Sequence, residues 1–222
     1  MENEETYNSI AFSPDGKQIV TSHQKGYRIW YLATGLSVNI ENHLSIVKCA
    51  VYSPDSRYIA SGGYDGTVRL FDTETKKTKF VFRVPKPAFL VKTVAFSPDG
   101  SQVICGGMGG HGYDQNETIW AWHTLSGTPL FFIKDIESQK SFVLKYNATG
   151  EKLFYANIRK VLTWDVRKIN MAWTPDRHKF FSANGKAVLR TLVLGLLRLG
   201  VQRVDPACLE MEIFSGLFCL DV

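Results

Sequence analysis

The residues with the clearest chemical potential lie in one glycine-rich stretch between Gly106 and Glu117. Three of its side chains could contact a ligand or a partner: His111, Tyr113 and Asp114. Its glycines also have the Gly-x-Gly-x-x-Gly spacing of a dinucleotide-binding turn, starting at Gly107. Such a turn requires a following helix whose N-terminus meets the pyrophosphate. Residues 118–122 instead have the apolar and aromatic pattern of a strand, so the stretch is interpreted as a hairpin extension or a recognition loop.

Catalytic and metal-ligating residue types are present, but they are not arranged in a recognisable site. The sequence has neither a Gly-x-Ser-x-Gly elbow nor a His-x-x-x-His pair. Its five histidines are scattered, and its four cysteines include no Cys-x-x-Cys pair. Cys49 and Cys105 fall within strand-like segments and are expected to be buried as small apolar residues. We therefore expect a non-enzymatic protein with no catalytic residue, no metal and no cofactor.

The elements that position these residues follow from a short phrase that the sequence repeats. Residues 10–16 read Ile-Ala-Phe-Ser-Pro-Asp-Gly, and close copies occupy residues 50–56 and 94–100. Weaker copies follow at residues 146–150 and 172–176. A repeat of short strands every ~40–45 residues is typical of propeller blades. The repeated part is therefore expected to be scaffold, with function on the connecting loops.

Residues 46–83 show how one repeat divides into four strands. Turn signals alternate with short β-rich runs at residues 46–52, 58–61, 67–71 and 79–83. The first turn, Ser53-Pro54-Asp55, is favoured because proline presets φ and the Ser and Asp side chains cap the turn. The second, Asp65-Gly66, is favoured because glycine adopts the positive φ of tight hairpins. A sheet with two apolar faces cannot bury both alone, so each repeat must stack on a neighbour.

This pattern resembles the WD40 family of β-propellers. The resemblance is carried by the Phe-Ser-Pro-Asp-Gly turn, by Ala60–Gly63, by Asp65–Asp72 and by the dipeptide Trp164-Asp165 that gives the family its name. It implies an all-β fold, a WD40-like β-propeller of about four to five blades of antiparallel strands, in a closed, open or truncated ring. After a short tail at residues 1–6, the approximate blades are 7–42, 43–84, 85–134, 135–168 and 169–192.

In the WD40 family a hydrogen-bonded chain of Trp, Ser or Thr, His and Asp ties each blade together, and parts of that chain are present here. The second blade has His43, Ser61 and Asp65, but Phe71 stands where the family has Trp. The other blades retain fewer of these residues: Thr21 and Trp30 in the first, with Lys25 at the Asp position; Cys105 and Trp122 in the third; Tyr155, Trp164 and Asp165 in the fourth. The resemblance therefore implies structural roles for these side chains in blades held mainly by packing.

The repeat pattern weakens after Asp165. Too few residues separate Asp165 from the next expected inner strand near Asn170, so the fourth blade is predicted to lack its outer strand. Residues 193–222 show no blade pattern and have three interpretations: a degenerate closing blade, an amphipathic helical tail, or, for residues 166–222, an end produced by splicing or a gene-model error. An open ring would leave a sheet edge and a face uncovered, so we expect it to self-associate or to be completed by another chain.

The resemblance also implies where partners bind. Family members usually bind them where the b–c loops, between the second and third strands of a blade, meet the d–a loops between successive blades. The candidate partner-binding residues on these loops are Gln24, Lys25, Tyr64, Phe89, His111, Tyr113, Asp114 and Arg159. The predicted function is a scaffold for protein–protein interactions. A cytoplasmic or nuclear location is expected, because the first residues lack the pattern of a signal peptide.

Two alternative functions remain open. The densest basic stretch, residues 76–86, is expected on the outermost strand of the second blade, where lysines discourage edge-to-edge pairing. It could instead bind RNA or an anionic membrane, although the net charge of +5 does not require nucleic acid. Residues 164–167 resemble the end of a motif in substrate receptors of cullin ubiquitin ligases. No apolar run is long enough to span a membrane, so no transmembrane segment is expected.

Overall fold

A computed structural model describes residues 6–85, 88–110, 117–136, 142–157 and 161–171 of the chain. These residues form fifteen β-strands and one short helix. The strands make four antiparallel sheets, and within each sheet every strand pairs with the one that follows it in the chain. Antiparallel neighbours need only short turns, which is why one repeat of the phrase produces one sheet. The all-β fold predicted from the sequence is confirmed.

The sheets follow the order of the sequence. Sheet 1 contains β1 (Ser9–Phe12), β2 (Gln18–Ser22), β3 (Gly26–Tyr31) and β4 (Ser37–Glu41). Sheet 2 contains β5 (Val47–Tyr52), β6 (Tyr58–Gly63), β7 (Thr67–Asp72) and β8 (Lys77–Arg83). Sheet 3 contains β9 (Phe89–Phe96), β10 (Gln102–Gly109), β11 (Glu117–His123) and β12 (Pro129–Ile136). Sheet 4 contains β13 (Phe142–Tyr146), β14 (Lys152–Asn157) and β15 (Val161–Asp165), and the helix α1 (Val166–Met171) follows it directly.

The chain divides into two compact units, residues 1–166 and residues 167–222. All four sheets belong to the first unit. The described part of the second unit, residues 167–171, lies in α1. Among the residues that the structure describes, no helix has both the length and the apolar character needed to cross a bilayer.

The repeated phrase forms the turn between the first and second strands of each of the first three sheets. The Ser53 hydroxyl donates to Asp55 Oδ1 at 2.5 Å, and the Ser13 hydroxyl donates to Asp15 Oδ1 at 2.6 Å. The hydrogen bond from Ser13 holds the pKa of Asp15 below its usual value. The predicted hairpin at residues 65–66 is also present, with Gly66 at a φ of +74°. Local side-chain chemistry therefore specifies where these strands reverse.

Each sheet packs on the next through the faces of its pleated strands. A core between sheets 1 and 2 joins residues of both: Val20, Tyr27, Ile29, Ala50, Tyr52, Ile59 and Phe71. Sheets 2 and 3 share a second core, in which the rings of Phe82 and Trp122 stack with centroids 5.1 Å apart. The β13 strand of sheet 4 contacts β9 of sheet 3. This stacking is what the repeat requires, because a single sheet cannot bury both of its apolar faces.

Sheet 4 differs from the first three sheets as the sequence predicts. It has three strands in the described part of the chain, and β15 runs directly into α1 without the turn that leads to a fourth strand elsewhere. The start of the predicted fifth blade needs a correction. Ile169 lies in α1 and not in a strand, because the chain enters a helix at Val166. The rest of that blade, residues 172–192, and the segment 193–222 lie outside the described residues.

The glycine-rich stretch also has a structural explanation for part of its composition. Gly107 lies within β10, at an irregularity in its pairing with β9. A Cβ atom at Gly107 would lie 2.2 Å from the carbonyl oxygen of Leu90 and 2.7 Å from the ring of Phe89. Glycine is therefore needed for close approach of two strands, and the strand β11 follows where a nucleotide-binding turn would have a helix. Residues 111–116 lie outside the described residues, with His111, Tyr113 and Asp114 among them.

Candidate partner-binding surface

The loops at one end of sheets 1 and 2 form a surface of exposed and half-buried side chains, which include apolar, aromatic and basic residues. Backbone hydrogen bonds bring the loops together: the His43 N–H donates to the Lys25 carbonyl at 3.1 Å, and the Tyr64 N–H donates to the Ile46 carbonyl at 2.8 Å. The d–a connection at residues 42–46 therefore lies beside both b–c turns. We call this region the loop surface and define it by six residues: Gln24, Lys25, Leu44, Ile46, Lys48 and Tyr64.

A buried polar network fixes the loop surface from below. His43 Nε2 lies 2.9 Å from Ser61 Oγ, and its Nδ1 lies 3.0 Å from Asp65 Oδ2. A carboxylate can only accept hydrogen bonds, so Nδ1 carries the proton in this arrangement. Asp65 also accepts from the Leu44 N–H at 3.0 Å and from the Thr67 hydroxyl at 2.7 Å. The structural roles expected for His43, Ser61 and Asp65 fit this geometry.

The charge on Asp65 is stabilised by these donors. Burial by itself raises the pKa of Asp65, but the hydrogen bonds from His43, the Leu44 backbone and Thr67 outweigh burial, and the pKa lies well below its usual value. Arg69 Nη2 adds a contact of 3.7 Å to Asp65 Oδ2. An ionised carboxylate with several donors is a rigid attachment point, so the connection that carries Leu44 is held in one position.

The most exposed apolar side chain of the loop surface is one that sequence reasoning did not select. Leu44 is 85% exposed and Ile46 is 38% exposed. The half-buried ring of Tyr64 lies beside them, with Lys48 Nζ 5.9 Å from its centroid. Lys25 is exposed in the neighbouring turn. Leu44, an apolar residue that lies outside the predicted strand at residues 46–52 and directly follows the predicted structural residue His43, was the signal that could have identified this patch.

Sheet 1 keeps a smaller version of the same network. The Trp30 Nε1–H donates to Thr21 Oγ1 at 2.9 Å. The b–c hairpin is one residue shorter than in sheet 2, because six residues separate the pair Thr21 and Arg28 whereas seven separate the equivalent pair Ser61 and Arg69. Lys25 is therefore presented to solvent and does not occupy a position like that of Asp65. His23 is buried and contacts Asn39 at 2.6 Å, a pair that sequence reasoning also missed.

One predicted contact residue is wrong and four others lie outside the part of the chain that is described. Phe89 is 1% exposed, because it begins the strand β9 and packs in the core between sheets 2 and 3. It cannot contact a partner from that position. Arg159 lies outside the described residues, as do His111, Tyr113 and Asp114 of the glycine-rich stretch. Gln24 is exposed at the b–c turn of sheet 1, as expected.

The remaining predicted blade residues lie in strands and pack between sheets. Phe71 is 3% exposed in the core between sheets 1 and 2, and Trp122 is 5% exposed against Phe82. The ring of Trp164 makes an edge contact with Tyr155 at 6.3 Å. Asp165 is the last residue of β15. Aromatic packing is therefore the main role of these positions.

The basic stretch lies on the outer strand of sheet 2, as predicted. Lys77, Lys79 and Arg83 belong to β8, while Lys76 precedes it in the turn. Lys79 Nζ donates to the Tyr58 hydroxyl at 3.0 Å and stands 4.7 Å from the centroid of that ring. Lys79 therefore already has a partner inside the sheet. The other three side chains are exposed.

The opposite end of the sheets holds a cleft with little chemical functionality. Its volume is about 620 Å³, and it is lined by the first strands of all four sheets, including Ile10, Val51, Phe96 and Val143. Cys49 also lines it, and burial raises the pKa of that thiol to about 12. Among the described residues no group of three His, Cys, Asp or Glu side chains could hold a metal ion.

Comparison with known proteins identifies the class. The family model of the WD domain, G-beta repeat, matches residues 35–72 and 78–114. The first match starts before β4 and ends with β7, so the family repeat is offset by one strand from the sheets described above. The chain thus contains WD40 repeats, and the resemblance inferred from its sequence is confirmed.

The similarity to individual proteins extends over only part of each of those proteins. The chain is 29% identical over 106 residues to eukaryotic translation initiation factor 3 subunit I of Scheffersomyces stipitis, which is 47% of this chain and 29% of that protein. It is 27% identical over 140 residues to Jouberin of Mus musculus, 61% of this chain and 13% of that one. It is 28% identical over 153 residues to telomerase protein component 1 of Rattus norvegicus, 68% and 6% of the two chains. The chain therefore spans less than a third of the length of these relatives.

Proposed function

We propose that this chain is a non-enzymatic scaffold that binds another protein through the loop surface. The observation that carries the proposal is the exposure of Leu44 and Ile46 beside Tyr64, above a network that holds their connection in place. An exposed apolar residue on a rigid connection can enter a partner without a large loss of conformational entropy. Tyrosine is among the residue types that most often carry interface energy.

The charges around the loop surface indicate the kind of partner. Lys25 is exposed, and the Lys48 ammonium donates to Asn8 Oδ1 at 3.1 Å beside the Tyr64 ring. A protein segment with an apolar side chain for the Leu44 patch and carboxylates for the two lysines would complement this surface. Opposite charges at the rim mainly accelerate association and make it sensitive to salt.

The names of the relatives agree with a role in assemblies. One is a subunit of a translation initiation factor, and another is a protein component of telomerase. Membership of a multi-protein complex is therefore proposed for this chain as well. The alternatives of RNA or membrane binding through β8 and of a cullin ligase receptor remain predictions.

A comparative purification tests the proposal. The tagged chain and the double variant Leu44→Glu/Tyr64→Ala are used to capture proteins from the cells that encode the chain, with quantitative mass spectrometry as the readout. Val81→Glu is the matched control, because Val81 is 47% exposed on β8, outside the loop surface. At least one protein should fall in recovery by about tenfold or more with the double variant alone, as loss of an interface hot spot predicts. Equal recovery with all three proteins would contradict the proposal.

A further inference from the structure

All four sheets contain the same trio of side chains, opposite one another on their first three strands. In each trio an aromatic residue pairs with an aliphatic one, which pairs in turn with a second aromatic residue. The trios of the four sheets are Phe12–Ile19–Trp30, Tyr52–Ile59–Phe71, Phe96–Val103–Trp122 and Tyr146–Leu153–Trp164. Side chains opposite one another lie on the same face of an antiparallel sheet, so each trio is one apolar patch.

In sheets 2 to 4 the trio packs on the preceding sheet. The sheet 2 trio shares a core with Val20, Tyr27 and Ile29 of sheet 1. The central aliphatic residue of each of these three trios is fully buried, at 0% exposure. Where the trio begins with tyrosine, its hydroxyl donates to a glutamine of the preceding sheet: Tyr52 to Gln18 at 2.9 Å and Tyr146 to Gln102 at 2.8 Å.

The trio of sheet 1 is uncovered. Phe12 is 65% exposed, and Ile10, two residues before it on the same face, is 67% exposed. The residues at these positions in sheet 2, Tyr52 and Ala50, are 8% and 1% exposed. Sheet 1 therefore presents the same patch that every later sheet packs against its predecessor, and none of the described residues of the first unit covers Phe12.

Sheet 4 presents the complementary half of this junction. Val143 is 54% exposed and Val161 is 65% exposed, and both pair with Ala156. In sheet 2 the same positions are Cys49 and Val68, which pair with Gly62 and are buried in the core with sheet 3. The same type of packing joins sheet 1 to sheet 2, sheet 2 to sheet 3, and sheet 3 to sheet 4. The exposed faces of sheets 1 and 4 are the two faces that such a junction would need.

We propose that the chain associates with a second copy of itself, with sheet 1 of one molecule packed on sheet 4 of the other. In each junction, the residue that precedes the central aliphatic residue of one sheet faces the first aromatic residue of the next sheet's trio, so it decides which aromatic residue can pack there. It is Gln18 or Gln102 where the next trio begins with tyrosine, and Tyr58 where the next trio begins with Phe96. In sheet 4 it is the exposed residue Lys152, which supplies no acceptor.

Phe12 has no hydroxyl, so it leaves no donor unsatisfied against Lys152. The ammonium group can instead lie over the Phe12 ring, a contact of the kind that Lys79 makes with Tyr58 at 4.7 Å. A trio beginning with tyrosine would lose its hydrogen bond on the same face. The faces of sheets 1 and 4 therefore have apolar residues at the positions that pack in the internal junctions, and the contact would leave no hydroxyl donor unsatisfied.

The oligomeric state of the full chain tests the proposal. Light scattering and sedimentation equilibrium should show concentration-dependent association of the natural chain. Phe12→Lys and Val161→Glu should each raise the dissociation constant by at least about tenfold, since the first sets a second ammonium group against Lys152 and the second places a carboxylate in an apolar contact. Leu44→Glu is the control, because it also introduces a charge, but at an 85% exposed residue outside both faces. All three residues are exposed, and circular dichroism confirms that each variant is folded.

A mixing experiment distinguishes this contact from other modes of association. Phe12→Lys retains an intact sheet 4 face, and Val161→Glu retains an intact sheet 1 face. A mixture of the two should form a 1:1 pair, although neither variant associates alone, because one natural junction can form between them. A natural chain that stays monomeric up to about 100 µM, where ordinary interfaces are saturated, would overturn the proposal. So would association that only Leu44→Glu abolishes, or a mixture that stays monomeric.

The two proposals can fail separately. Leu44→Glu changes partner capture and leaves self-association intact, whereas Phe12→Lys does the reverse. The first result tests the loop surface, and the second tests the exposed faces of sheets 1 and 4.

Discussion

Replacement of Asp65 by alanine tests whether the buried network holds the loop surface in place. Asp65 accepts from His43 Nδ1 at 3.0 Å, from the Leu44 N–H at 3.0 Å, and from the N–H and hydroxyl of Thr67 at 3.1 and 2.7 Å. Its side chain is 5% exposed. Alanine removes the acceptor for all of these donors and provides no replacement.

The loss of unfolding free energy in Asp65→Ala depends on which of the donors that lose Asp65 can bond to water instead. The Leu44 N–H lies at the exposed connection, and the Thr67 hydroxyl can rotate, so both can find other acceptors. The His43 ring and the Thr67 N–H stay buried, and each buried donor without a partner costs ~1–3 kcal/mol. We therefore expect Asp65→Ala to lower the free energy of unfolding by about 3 kcal/mol.

Urea unfolding followed by tryptophan fluorescence measures this loss. The matched control is Asp55→Ala, because Asp55 accepts from Ser53 and from the Arg57 N–H at 3.1 Å in an exposed turn, where water can replace it. The control should lose on the order of 1 kcal/mol. Hydrogen exchange should also show faster exchange of the Leu44 amide in Asp65→Ala. A loss no larger than that of the control would refute the structural role of the network.

The same carboxylate should make stability depend on pH. The folded-state pKa of Asp65 lies below the value of 3.8 that an unperturbed aspartate has. Its contribution is therefore fully present well above pH 3.8 and is lost as the pH falls through 3.8 towards the folded-state pKa. Asp65→Asn should show a shallower decline of unfolding free energy in this range. Parallel curves for the two proteins would contradict the prediction.

Three further predictions concern packing. Tyr52→Phe should lower the unfolding free energy by about 1 kcal/mol, because it removes the hydrogen bond to Gln18 between sheets; a thermal melt identical to that of the natural chain would disagree. Gly107→Ala should cost at least ~2 kcal/mol in the urea assay, since its Cβ would meet the Leu90 carbonyl and the strands would have to separate. Cys49, a buried thiol, should react with a maleimide only in urea, as peptide mapping can establish, and rapid labelling of the native chain would count against the core between sheets 2 and 3.

Much of the fold could be predicted because its signals are local. The Ser-Pro-Asp turns and the Asp65-Gly66 hairpin act over a few residues, and the period of the phrase identifies the unit that each turn divides. Phe89 is a residue whose position such local signals do not predict. Its position between two predicted blades suggested a loop, but it pairs with Gly109 and its ring fills the space that Gly107 leaves. That outcome depends on the approach of two strands and cannot be read from neighbouring residues.

The candidate site was predicted only in part, because the exposure of its side chains also depends on contacts between residues distant in the sequence. Tyr64 and Lys25 were selected because the resemblance places their loops on the partner-binding face. Leu44 was not, although it is more exposed than the selected residues Tyr64 and Phe89, because a leucine next to a strand is usually buried. The backbone N–H of Leu44 donates to Asp65, a residue 21 positions away, while its side chain stands in solvent.

By itself the sequence determined the type of fold, the size of the repeating unit and the places where its strands reverse. Each of these depends on interactions between residues close together in the chain. Only the tertiary structure decided which of the repeated apolar patches are covered. Phe12 and Tyr52 occupy the same position in their repeats, yet one is exposed and the other buried. The difference lies in whether another sheet stands against them, since burial is a property of the neighbours and not of the residue.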